Sequence, residues 1–139
     1  QRRHNLAPAS MLQGEDRLRV LVVEDDENTR LMLQANFDQW GLPLDAVMYS
    51  SAMEALLDMP SLQPQVLLTD LIMPNMDGLT MAEKIRGELR NSTVNIIMLT
   101  TENTPIMKER GKAAGIKGWI VKPFKGEAVI ATFKKLAEA

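Results

Sequence analysis

The chain has 139 residues, 45% of them hydrophobic and 24% charged, the size and composition of one globular domain around a single core. It contains no cysteine, which excludes a disulfide framework, a thiolate metal site and a thiol nucleophile, and no apolar run approaches the roughly 18 residues that span a bilayer. The formal net charge of −2 hides an asymmetry: from Glu15 to Asp77 only Arg17, Arg19 and Arg30 oppose a majority of acidic residues, and from Lys108 to Lys135 only Glu109 and Glu127 oppose a majority of basic ones.

Such a distribution suggests an acidic pocket and a basic docking face. Nucleic acid is not an expected partner, because the whole chain is acidic and no basic motif is interleaved with aromatics. A soluble protein of a reducing cytoplasm is expected.

Residues 1–16 lack periodicity and read as a flexible leader, leaving 17–139 as the folded domain. His4, the only histidine, falls in that leader, so a histidine-based mechanism within the chain is not expected. Val20 to Val23 form a first buried strand. Leu33, Phe37 and Trp40 then recur at helical spacing, predicting a helix from about Asn28 to Trp40 with Gly41 as its stop.

Leu44, Ala46 and Met48 alternate as a second strand. Ser51 with Glu54 makes a capping box for a short helix that Pro60 is expected to end. A third strand covers about Gln65 to Asp70, and the loop with Pro74, Asn75, Asp77 and Gly78 leads into a helix whose Leu79, Ala82, Ile85 and Leu89 share one face.

Ile96 to Leu99 form a fourth strand, and Thr104 caps a helix with Pro105 at its first position, closed by Gly115. Gly118 to Val121 form a fifth strand, and Val129, Ile130, Phe133 and Leu136 mark a last amphipathic helix. Strands alternating with helices through short connections predict an α/β, doubly wound parallel sheet with right-handed crossovers.

In such a sheet every carboxyl end points the same way, and ligands bind in the crevice beyond those ends. Four apolar runs stop abruptly there: at Glu24 and Asp25, at Asp70, at Thr100 and at Lys122. Crowded carboxylates repel and call for a cation, and a hard, partly hydrated divalent ion held by one or two of them points to magnesium. Residues 24 to 27 also suit a solvated acidic helix cap, and Lys122 could extend into water. Asp70, ending a buried strand before a long loop, has no capping role. Together the group supplies a nucleophilic carboxylate, metal ligands, a hydroxyl and an ammonium, the parts of aspartyl-phosphate chemistry.

Four segments carry a specific resemblance: Val20-Leu-Val-Val-Glu-Asp-Asp26, Leu68-Thr-Asp-Leu-Ile-Met-Pro-Asn-Met-Asp-Gly78, Met98-Leu-Thr-Thr-Glu102 and Gly118-Trp-Ile-Val-Lys-Pro-Phe124. In order and spacing, over roughly residues 18 to 137, the chain resembles the receiver domain of bacterial two-component response regulators, of the chemotaxis type. The resemblance implies a flavodoxin-like fold with five parallel strands ordered 2-1-3-4-5 and five helices.

The resemblance further implies a role for each matched residue. Asp70 is the phosphoacceptor for a histidine kinase, Asp25 the direct ligand of magnesium (or manganese), Glu24 an acidic neighbour acting largely through water, and Ile72 the residue whose backbone carbonyl meets the metal. Thr100 is the switch hydroxyl, Lys122 pairs with the phosphoryl group and precedes Pro123 through a cis peptide, and Trp119 is the aromatic whose rotamer follows phosphorylation. Ile72 and Glu102 tune hydrolysis of the acyl phosphate, and Ile72 is apolar where many relatives carry a polar side chain. Output is expected through the face of helix four, strand five and helix five, with the flagellar motor switch as the partner and a phosphatase as a further one.

Alternatives are a phosphorelay shuttle, a receiver fragment of a multidomain regulator, a receiver that has lost phosphorylation, and a haloacid-dehalogenase-like phosphatase. The last needs an acid two positions after its nucleophile, where this chain has Ile72. A nucleotide-binding module lacks support, because Gly111, Gly115 and Gly118 do not lie between a strand and a helix. The chain is therefore expected to catalyse only its own phosphorylation and dephosphorylation.

Overall fold

The structure is a computed structural model and describes residues 17–41 and 43–138. The expected leader, residues 1–16 with His4, lies outside the described residues. The elements alternate as β1 (Leu18–Val23), α1 (Glu27–Trp40), β2 (Leu44–Tyr49), α2 (Ala52–Leu62), β3 (Val66–Thr69), α3 (Gly78–Gly87), β4 (Asn95–Thr100), α4 (Pro105–Ala113), β5 (Ile116–Val121) and α5 (Gly126–Glu138). The strands form one parallel sheet in the order β2-β1-β3-β4-β5, as expected.

The uninterrupted apolar runs of β1, β3 and β4 follow from their central places, covered on both faces. Edge strand β2 alternates instead, with Leu44, Ala46 and Met48 turned to the face covered by α1 and α5. On that face Leu33, Phe37, Val129 and Phe133 pack against Val20, Val22, Leu68 and Ile97, and the Phe37 and Phe133 rings stack at 5.7 Å. The other face packs Ala55 and Met59 of α2 and Met81, Ala82 and Ile85 of α3 against Leu21, Val23, Leu67 and Ile96. Each large apolar side chain buried this way contributes about 1.5–3 kcal/mol relative to leaving it exposed.

Two helix ends differ from expectation. Helix α2 runs through Pro60 to Leu62 and stops at Gln63, whose φ is 47° and whose N–H donates to the Met59 carbonyl at 2.9 Å. Proline removes one intrahelical bond, but burial of Met59 and Leu62 against the core carries the helix one further turn. Helix α3 ends at Gly87, where the N–H groups of Glu88 and Leu89 both donate to the Lys84 carbonyl. Leu89 therefore leaves the apolar face and is 37% exposed. The remaining bounds agree to within one or two residues, including the Gly41 stop in the left-handed region (φ 71°) and the Thr104 cap. Among the described residues no helix is long and apolar enough to cross a membrane.

Candidate functional site

Ladder hydrogen bonds that run past the strand ends bring the expected residues together. The Asp70 N–H donates to the Val23 carbonyl at 3.0 Å, the Glu24 N–H to the Tyr49 carbonyl at 2.9 Å, and the Lys122 N–H to the Thr100 carbonyl at 3.0 Å. One edge of the sheet thus carries Glu24, Asp25, Asp70, Thr100 and Lys122. Carboxylate oxygens of Glu24, Asp25 and Asp70 lie within 4.8 Å of one another, with Asp25 exposed and the other two buried.

Lys122 closes this cluster. Its Nζ donates to Glu24 Oε1 at 2.8 Å and to Asp70 Oδ2 at 3.2 Å. Burial pushes the Glu24 carboxyl above the usual range, and the ammonium offsets this only in part. For Lys122 burial acts downward, yet the two carboxylates outweigh it and hold the ammonium above the usual lysine range. Glu24 is 1% exposed and is paired directly with Lys122. The oxygen-only donor set, crowded and anionic, fits a hard divalent cation of the magnesium type.

The loops that hold these groups have identifiable fastenings. Asp26 caps α1 through Thr29 and donates its own N–H to Glu24 Oε2 at 3.1 Å, while Arg30 Nη1 donates to the Glu24 carbonyl at 2.8 Å. Asp77 caps α3, and a Cβ placed on Gly78 would lie 2.2 Å from the Asp70 carbonyl oxygen, so only glycine admits α3 this close. Thr69 Oγ1 donates to that same carbonyl at 2.9 Å.

Sequence reasoning treated Asp77 and Gly78 as turn formers and assigned nothing to Arg30. Asp77 three residues before Thr80 was the cap signal available; the Arg30 contact crosses from a helix to a strand end, and nothing in the local pattern announces it.

The other expected residues surround the cluster. Thr100 is fully buried, and its Oγ1 accepts the Glu102 N–H at 3.2 Å. Trp119 Nε1 donates to the Glu102 carbonyl at 2.6 Å, and its ring packs with Met107 and Ile116 against Leu71, Leu79 and Met98. Ile72 is 56% exposed, and its N–H donates to Asp70 Oδ1 at 3.3 Å. The Lys122–Pro123 peptide is cis.

A groove of about 870 Å³ lies at the opposite end of the sheet, around Arg17, Phe37, Leu44 and Gln63.

The comparisons agree with this geometry. Residues 20–134 match the family model described as the response regulator receiver domain. The chain is 27% identical over 118 residues to the phosphate regulon transcriptional regulatory protein PhoB of Rhizobium meliloti, covering 85% of this chain and 51% of that one. It is 31% identical over 115 residues to the DNA-binding response regulator MtrA of Mycolicibacterium paratuberculosis, covering 83% and 49%. The chain spans about half the length of these curated relatives.

Among solved structures, the Vibrio cholerae chemotaxis protein CheY4 superposes with a TM-score of 0.76 at 31% identity, over 86% of this chain and 98% of that one. The strand order, the acidic cluster beside a lysine and these matches lead to one conclusion: the chain belongs to the response regulator receiver domain family of two-component signalling proteins.

Proposed function

We propose that this chain is a phosphorylation-controlled switch in which Asp70 accepts a phosphoryl group from a histidine kinase. The observation that carries the reading is the placement of Asp70, 8% exposed, with Lys122 Nζ at 3.2 Å and the Glu24 and Asp25 oxygens beside it. In the transfer an Asp70 oxygen forms a bond to phosphorus as the bond from phosphorus to the donor imidazole nitrogen breaks, and that nitrogen keeps the electron pair and takes up a proton. Bound magnesium supplies charge neutralisation for the carboxylates and the phosphoryl oxygens. Lys122 is within reach to exchange its Asp70 contact for a phosphoryl oxygen, and its position fixes where that charge is tolerated.

Thr100 and Trp119 then act through one residue, because both hydrogen-bond the backbone of Glu102. A Thr100 hydroxyl drawn toward a phosphoryl oxygen changes its hold on the Glu102 N–H, and the indole bonded to the Glu102 carbonyl responds. The protein is a signalling switch that catalyses no reaction beyond its own phosphorylation and dephosphorylation, and it works in the cytoplasm.

Output through α4, β5 and α5 is supported by the charge there. Lys122 belongs to the acidic cluster and Arg110 pairs with Glu83, but Lys108, Lys112, Lys117, Lys125, Lys134 and Lys135 are exposed, beside Ile106 at 81%. An acidic amphipathic segment, such as one from the flagellar motor switch, suits that face, and the likeness to CheY4 along nearly its whole length supports a chemotaxis output. A second reading, a receiver portion of a DNA-binding regulator, is favoured by relatives such as PhoB and MtrA, of which this chain spans about half.

Titrating the beryllofluoride-treated protein with a motor-switch peptide separates these outputs. Tighter binding that weakens with salt and with charge reversal at Lys108 or Lys112 supports the first, and binding indifferent to beryllofluoride removes it.

A further inference from the structure

We infer that Gly111 is a positioning residue of the switch, sized to seat the Trp119 indole beneath α4, so that the place of α4 is coupled to the place of that ring. The inference rests on the receiver reading and deepens it. Gly111 lies inside α4, where alanine would be the better helix former. A Cβ there would stand 2.9 Å from Trp119 Cζ3 and 3.2 Å from Ile116 Cγ1, so the helix backbone itself forms the surface on which the indole rests. By contrast a Cβ on Gly87, at the end of α3, would meet nothing within 4 Å. A residue that opposes its local structure in order to satisfy a contact across the fold is a mark of function rather than of helix chemistry.

The opposite edge of the ring is also held, since Nε1 donates to the Glu102 carbonyl. Trp119 therefore cannot leave Glu102 without sliding along α4, and α4 cannot settle differently on the sheet without moving the ring. The neighbouring Arg110 ties the same turn to α3, with its guanidinium on both Glu83 carboxylate oxygens at 2.9 and 3.0 Å and on Thr80 Oγ1 at 3.3 Å. That ion pair is about two-fifths exposed, so it guides α4 weakly, and the buried Gly111 contact sets its height.

The test compares the parent, Gly111→Ala, Gly87→Ala, Trp119→Phe and the double variant Gly111→Ala with Trp119→Phe by thermal unfolding. The Trp119 indole N–H signal is followed by NMR with and without beryllofluoride, using Trp40, the other tryptophan, as internal reference, and Asp70 phosphorylation by acetyl phosphate is measured in parallel.

Gly87→Ala is expected to keep or raise the melting temperature. Gly111→Ala is expected to lower it, to cost the Trp119 indole N–H its exchange protection and to abolish its beryllofluoride response, while Asp70 is still phosphorylated. With the smaller Phe at 119, Gly111→Ala no longer lowers the melting temperature.

A Gly111→Ala protein that behaves like Gly87→Ala and keeps its indole signal overturns the inference. So does a double variant that lies as far below Trp119→Phe as Gly111→Ala lies below the parent, because the conflict then lies with Ile116. If Gly111→Ala does not fold alone, recovery in the double variant decides in favour and its absence decides against. Failure of the unaltered protein to accept phosphate overturns the proposed phosphoacceptor function instead, leaving the size-matched pair as a packing fact.

Discussion

The indole N–H of Trp119 donates to the backbone carbonyl of Glu102 at 2.6 Å, and Glu102 gives its own N–H to Thr100 Oγ1. One peptide segment of the loop after β4 is thus held from both sides by the two residues proposed to switch. Trp119→Phe removes one hydrogen bond, a loss of about 1 kcal/mol. The variant is expected to accept phosphate at Asp70 normally but to lose the beryllofluoride-dependent change in amide hydrogen exchange across residues 102–104. An unchanged exchange response would show that the loop moves without the indole.

Lys122 and Glu24 form the most buried ion pair recorded among the described residues, with side-chain exposures of 18% and 2%. Lys122→Met strands the Glu24 charge and is expected to cost about 3 kcal/mol in urea unfolding near neutral pH. Glu24 already has its carboxyl pushed up by burial, and without its partner the folded state holds that proton more tightly than the unfolded state. The sign follows: the variant's deficit shrinks as pH falls and Glu24 protonates. Adding Glu24→Gln should recover most of the stability but not the phosphoryl retention that depends on the ammonium. A deficit that grows on acidification would contradict this account.

Ile72 is 56% exposed while its N–H donates to Asp70 Oδ1, so its side chain stands beside the proposed phosphoacceptor without contributing to the core. We predict that Ile72→Asn shortens the acyl-phosphate half-life severalfold by orienting water there, with a stability change within about 0.5 kcal/mol. Equal half-lives in parent and variant would remove Ile72 from the control of hydrolysis.

Tyr49, the only tyrosine, donates to Asp58 Oδ2, and this bond to a carboxylate raises its pKa from the ordinary 10.0 to about 12. The phenol in the folded state therefore keeps its proton after the unfolded chain has lost it. The contribution is full below pH 10 and is lost as pH rises toward 12. Ultraviolet titration of the phenolate should find this single midpoint near 12, falling toward 10 in Asp58→Asn. A midpoint near 10 in the parent would mean that the link between β2 and α2 is not formed.

The fold was legible because central parallel strands must be apolar on both faces, which makes β1, β3 and β4 stand out as short runs and places their terminal polar residues on one edge. Pro60 and Leu89 misled for one reason: a helix end is decided by tertiary packing as well as by local stop signals, and Met59 and Leu62 outweighed the proline.

At the site, Glu24, Asp25, Asp70 and Lys122 could be placed by their strand ends alone. The fastenings could not. The Arg30 contact to the Glu24 carbonyl, the Gly78 approach to Asp70 and the Gly111 seat for Trp119 each join residues from different elements, and their signal is a distance rather than a pattern.

The central claim is that Asp70 carries a labile phosphoryl group in a cluster whose charge a divalent cation balances. Intact-mass spectrometry of the protein incubated with acetyl phosphate and magnesium tests it most directly. The account predicts one added phosphoryl mass that is absent in Asp70→Asn, absent after chelation of the metal, and lost on standing. An unmodified mass in the parent, or an adduct that persists in Asp70→Asn, would contradict it.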